Sequence, residues 1–167
     1  MGLFDGIGNA EIFERGRFFP PGFSGGLRVK KTLAKQTRKS GLAFIVELEV
    51  IRVDQPGAED HELSPVRVGE KRTWFQKMSD QDVAFPSIKA WAAAMAGYSP
   101  SDKDAIDEEV SPHLSELLDA ATGNPTDNDF IDQDVDLVTL PHTTQKGHDF
   151  TIHNWEPSPE VDEDAAE

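Results

Sequence analysis

Apolar and polar positions alternate most clearly over residues 42–54. Phe44, Val46, Leu48 and Val50 fall on one face there, and Ala43, Ile45, Glu47 and Glu49 on the other. A period of two is that of a strand with one face in a core. A looser version runs over residues 27–36, with Leu27, Val29 and Leu33 on one face and Arg28, Lys30 and Thr32 on the other. After Gly69, residues 71–77 read as a third strand, setting Arg72, Trp74 and Gln76 against Lys71, Thr73, Phe75 and Lys77.

The period then lengthens. Ile88, Trp91, Ala92 and Met95 recur at helical spacing, with Pro86 or Ser87 as the start and Gly97 as the stop. Residues 99–109 are polar and predict one loose turn. A second helix is expected over 111–121, capped by Ser111 with Pro112 at its first position and striped by Leu114, Leu117 and Leu118. Gly123, Asn124 and Pro125 end it. Residues 135–140 and 148–155 supply a fourth and a fifth strand around a turn at Gln145, Lys146 and Gly147.

Three strands, a helical segment and two strands is the element order of the OB-fold. The expected fold is therefore mainly β: an OB-fold-like five-stranded Greek-key barrel over residues 27–156, with helices between strands three and four. Residues 1–26 read as a lead-in with a short helix after Asn9, and Pro20, Pro21, Gly22, Gly25 and Gly26 are expected to forbid regular structure. Residues 157–167 read as an acidic, disordered tail.

Composition changes this picture in two ways. The 167 residues include no Cys, which excludes disulfides, thiolate metal sites and a cysteine nucleophile. No run of apolar residues is long enough for a membrane helix and no leader is recognisable, so a soluble cytosolic protein is expected. The net charge of −15 is uneven: residues 1–77 hold thirteen bases and ten acids, and residues 78–167 hold three bases and twenty-one acids. Residues 28–39 contain six bases and no acid, and residues 156–167 six acids and no base. A polyanion-binding surface joined to an acidic tail fits this distribution.

With the elements placed, residues 9–156 resemble a family of bacteriophage-encoded single-stranded DNA-binding proteins. The resemblance rests on Asn9 and Ala10, on Phe18, Phe19, Pro20, Pro21 and Gly22, and on Phe44, Ile45, Val46 and Glu47. It continues through Gly69, Trp74 and Phe75, the helix over 88–95, Lys146, Gly147, Phe150, Thr151 and Trp155. It implies an OB-fold that coats single strands during phage replication and recombination. It also implies a tail that recruits host or phage replication and recombination proteins through Glu160, Asp162, Glu163, Asp164 and Glu167. This tail lacks the terminal aromatic that some such proteins carry. Homo-oligomerisation is left open.

Binding a single strand needs cations for phosphates and aromatic faces for bases. The candidate cations are Arg28, Lys30, Lys31, Lys35, Arg38 and Lys39, joined by Lys71, Arg72 and Lys77 around Trp74 and Phe75. One of the two rings belongs to the core and the other meets a base; a one-residue register change exchanges them. If about four of the six bases in residues 28–39 touch phosphates, log affinity falls with log salt at a slope near −3. Trp155 reads as a core cap at the end of a strand.

No catalytic residue, cofactor or metal is expected. Asp127, Asp129, Asp132, Asp134 and Asp136 lack the glycine and closing glutamate of a calcium loop, and Asp134 and Asp136 fit an exposed strand face. His142, His148 and His153 read as solvent-exposed or bordering the core. There is no phosphate-binding Gly-Lys-Ser/Thr loop and no nucleophile elbow. The alternatives are an acidic DNA mimic, acting as inhibitor or scaffold on a host DNA-binding protein, and a virion structural protein.

Overall fold

The computed structural model describes residues 18–37, 41–57, 65–78, 81–143, 147 and 149–158. The strands are β1 (Phe23–Thr37), β2 (Gly41–Pro56), β3 (Lys71–Lys77), β4 (Asp134–Thr143) and β5 (Asp149–Pro157). They form one antiparallel sheet in the order β3-β2-β1-β4-β5. Between β3 and β4 come α1 (Gln81–Met95), α2 (Lys103–Ala105), a π-helical turn (Ile106–Val110) and α3 (Ser111–Gly123). The protein is mainly β, with its helices between the third and fourth strands. No pairing joins β3 to β5 among the described residues, so backbone hydrogen bonds do not close the sheet into the expected barrel.

The sheet nevertheless curls around one core. Trp74 of β3 and Trp155 of β5 belong to the two outermost strands, yet their rings meet edge to face with centroids 5.0 Å apart. Trp91 of α1 enters the same cluster, 5.9 Å from Trp74, 5.7 Å from Phe44 and 4.7 Å from Phe130. All three tryptophans are buried. Offset and edge-on aromatic pairs of this kind add to the stabilisation from burial alone, and here they link both edge strands to the helix.

β1 departs from strict alternation, and the departure is a bulge. Val29 pairs with Leu48 and Lys31 with Glu47, so Lys30 is an extra residue in the ladder. Before it, Leu27 and Val29 are buried; after it, Thr32 is buried and Leu33 is half-exposed. The expected sharing of one face by Leu27, Val29 and Leu33 is therefore corrected: Leu33 turns outward. Thr32 satisfies its buried hydroxyl by donating to the Ala121 carbonyl at 2.8 Å and accepting from Asn128 Nδ2 at 2.9 Å. β1 pairs with β4 only over residues 24–28. Beyond that, the Val29 carbonyl accepts from the Asp132 amide, and the Thr32 amide donates to the Pro125 carbonyl.

The lead-in is also corrected. Gly25 and Gly26 do not break structure but lie within β1. A Cβ on Gly25 would collide with the Arg52 carbonyl oxygen, and one on Gly26 would stand 3.1 Å from an Arg52 guanidinium nitrogen. The missing side chain lets Arg52 of β2 reach across β1 to Asp136 of β4 at 2.8 Å. Phe23 donates its amide to Thr139 Oγ1, which itself donates to the Pro20 carbonyl at 2.6 Å. The Asn9 helix lies outside the described residues.

Two helix starts differ from the expectation. α1 begins at Gln81 and carries Pro86 inside it. It ends at Met95, two residues before the predicted stop, Gly97, whose positive φ permits the Tyr98 amide to close onto the Ala93 carbonyl. Ser111 does not cap α3. Helical structure already runs from Lys103, and the Ser111 amide donates five residues back to the Ile106 carbonyl. Pro112 has no amide to offer the next turn, and the wider π-helical turn falls just before it.

His153 of β5 shows how tightly the inner face is packed. Its ring stacks on Trp155 at 6.3 Å and meets the edge of Phe19 at 6.5 Å. Burial lowers its pKa from 6.5 to about 4, against a smaller opposing effect of its hydrogen bond to the Thr151 backbone. The unfolded chain then binds more protons than the folded one between about pH 4 and 6.5. Stability contributed by neutral His153 is complete above 6.5 and is lost as pH falls towards 4, by at most about 3 kcal/mol. Urea titrations at pH 7.5 and 5 are expected to show this loss, and His153→Gln is expected to flatten that pH dependence. An equally steep dependence in the variant would assign it to other groups.

Candidate nucleic-acid interface

The outer face of β1, β2 and β3, opposite the aromatic core, is ordered by cross-strand register. Residues paired across strands point to one side, so the ladder sets them in rows. Lys35, Ala43 and Lys77 form the row nearest the β1–β2 turn. Leu33, Ile45 and Phe75 form the next, and all three are partly exposed. Lys31, Glu47 and Thr73 follow, and then Arg28, Glu49 and Lys71.

Farther along the sheet the cations are held by carboxylates. Arg28 Nε donates to Asp134 at 2.9 Å, and this hydrogen bond raises the guanidinium pKa. Lys30 Nζ lies 2.8 Å from Asp132 and 3.9 Å from Glu49; the Asp132 contact raises the lysine and lowers the aspartate. Arg52, raised first by Asp136 and then by Asp54, bridges both. The acidic run before and within β4 thus serves as the counter-charge to the basic end of β1. Asp132 takes a positive φ of 61° to present its carboxylate there. These side chains are partly exposed, so each pair adds little stability; their effect is to cancel charge.

The expected binding residues therefore separate into groups. Lys31, Lys35, Lys71 and Lys77 lie on the outer face and form no ion pair among the described residues. Phe75 lies with them. Arg28 and Lys30 share the face but are paired. Trp74 and Arg72 are corrected: they occupy the inner face of β3, each at most 2% exposed. Val46 opposite Trp74 and Ile45 opposite Phe75 settle which ring is core. Arg38, Lys39, Glu160, Asp162, Glu163, Asp164 and Glu167 lie outside the described residues. Leu33 and Ile45 are additions; the bulge that turns Leu33 outward was not read from the sequence.

Arg72 has a different task. Its guanidinium donates to Glu70 at 2.6 and 2.9 Å, to the Phe18 carbonyl at 2.9 Å and to the Pro65 carbonyl at 3.3 Å. It fastens the segment before β1 and the segment before β3 to the core. His142 lies on exposed strand and His153 borders the core, while His148 is outside the described residues. No group of three or more His, Asp or Glu suited to a metal occurs among the described residues. No helix there is long and apolar enough to cross a membrane.

Breaking a buried ion pair by removing one partner costs about 3–5 kcal/mol. Arg72→Ala is accordingly expected to lower the urea midpoint steeply. Lys71→Ala, one residue away and exposed, should change stability by less than about 0.5 kcal/mol. Equal midpoints in the two variants would deny Arg72 this structural task.

Comparison of the chain with protein-family models, curated proteins and solved structures finds no match.

Proposed function

We propose that the protein binds single-stranded DNA without catalysing a reaction, and that the outer face of β1–β3 is the binding surface. The observation that carries this reading is the half-exposed row of Leu33, Ile45 and Phe75 beside Lys35 and Lys77, which form no ion pair among the described residues. Bases in a single strand offer apolar faces and phosphates offer charge, and this surface supplies both complements. A strand order of β3-β2-β1-β4-β5 is that of an OB-fold barrel opened between β3 and β5, and OB-folds bind oligonucleotides on the strand two–three side and the loop after strand one. The resemblance to phage single-strand binders points the same way, towards coating of strands in replication or recombination with the acidic tail as a hook for partner proteins.

A second reading has its own support. Asp102, Asp104, Asp107, Glu108, Glu109, Glu116 and Asp119 are all exposed along the helical run, and among the described residues only Lys89 pairs with one of them, Asp107. A carboxylate surface of this kind suits a DNA mimic that occupies a DNA-binding protein.

Fluorescence anisotropy with labelled oligo-dT separates the two. The first reading expects binding that weakens with salt; no binding at low salt would leave the second. Loss of a base–aromatic stack costs about 1–3 kcal/mol. Phe75→Ala is therefore expected to weaken oligo-dT binding tenfold or more while keeping its melting temperature. Trp74→Ala should lose melting temperature first. A Phe75→Ala protein with undiminished affinity would remove the stacking platform.

A further inference from the structure

The four outer-face rows differ in net charge, and the difference assigns a path to the strand. The Lys35–Ala43–Lys77 row holds two cations and no carboxylate. The Leu33–Ile45–Phe75 row is uncharged. In the third row Glu47 stands between Lys31 and Thr73. In the fourth Glu49 stands between Arg28 and Lys71, with Asp134 and Asp132 holding Arg28 and Lys30. Positive potential on the described face is therefore uncompensated at one end only, beside the apolar row.

The geometry points to a strand that crosses the sheet at right angles to β1–β3, with phosphates on the Lys35–Lys77 row and bases turned onto the Leu33–Ile45–Phe75 row. This rests on the DNA-binding reading above and specifies how that face is used. Rows on one face lie two residues apart, about 6.6 Å, comparable with the reach from a phosphate to its own base. Lys35 and Lys77 are separated by two strand spacings, about 9.6 Å, enough to serve two phosphates. Between them stands Ala43, which is buried and adds no charge. Phe75 is the single aromatic of its row, so one base stacks and its neighbours meet Ile45 and Leu33. Glu47 and Glu49 face the far side of the bases and repel a phosphate chain laid there. Lys31 and Lys71 are balanced by these carboxylates and do not track phosphates.

Salt titrations of oligo-dT binding test the assignment on the full chain. With about 0.7 of slope per phosphate contact on a single strand, a Lys35→Ala, Lys77→Ala double variant should flatten log affinity against log salt by about 1.4. A Lys31→Ala, Lys71→Ala double variant should keep the wild-type slope. Glu47→Gln with Glu49→Gln should bind more tightly at low salt, with a steeper slope, because it opens the third and fourth rows to phosphate. A gain of binding cannot arise from misfolding. A flattened slope in the Lys31/Lys71 variant with the Lys35/Lys77 variant unchanged would overturn the path while leaving DNA binding intact. Absence of oligo-dT binding by the wild type at low salt would overturn the binding reading together with the path.

Discussion

The bulge at Lys30 is the constraint on which the outer face of the sheet depends. Leu27, Val29, Lys31, Leu33 and Lys35 share one parity, so an unbroken β1 would carry two lysines into the aromatic core. An ammonium buried without a partner is far more costly than a local disruption of the ladder. Inserting Lys30 as an extra residue reverses the phase. Lys31 and Lys35 then reach solvent, Leu33 joins Ile45 and Phe75, and Thr32 takes the inward position. The inward hydroxyl is acceptable only because Ala121 at the end of α3 and Asn128 in the following loop complete its hydrogen bonds. The outer face and the return of the chain from α3 to β4 are thus consequences of one unpaired residue.

A chain with a net charge of −15 presents a usable cationic row through placement rather than total charge. Asp132, Asp134 and Asp136 arrive beside β1 and neutralise the basic side chains nearest to β4. Lys35 and Lys77 lie at the other end of the sheet, out of their reach. Interaction between exposed charges fades over a Debye length of about 8 Å at physiological salt, so separation along the strands keeps the two signs distinct.

Much of this was legible in the sequence where alternation was strict. β2 has a core face of Phe44, Val46, Leu48 and Val50, all buried, and β3 spans the residues its pattern marked. Parity in β3 tied Arg72 to Trp74: with Trp74 in the core the arginine two residues before it must be buried and partnered, and with Phe75 in the core it would face solvent. The choice between Trp74 and Phe75 was not legible, because it depends on register against β2. The bulge left a trace in the adjacent Lys30 and Lys31, which cannot both face solvent in a regular strand. The early start of α1 and the π-helical turn before Ser111 were hidden by Pro86 and Pro112, each of which reads locally as a beginning. The pairing of Arg28, Lys30 and Arg52 with aspartates more than eighty residues away is set by topology, which a local pattern does not carry.

The tryptophan cluster has a spectroscopic consequence. The three indoles are the only ones in the chain, and all lie in the interior, with Trp74 within 6 Å of both others. Excitation energy passes readily between rings at such distances, so the protein emits as a single coupled chromophore that senses the packing of β3, β5 and α1. Opening of that core will be bright in the emission spectrum. A ligand on the opposite face, where the sole aromatic of the row is a phenylalanine, leaves the indoles in the dark, and only a labelled ligand or a tryptophan introduced on that face would make its arrival visible.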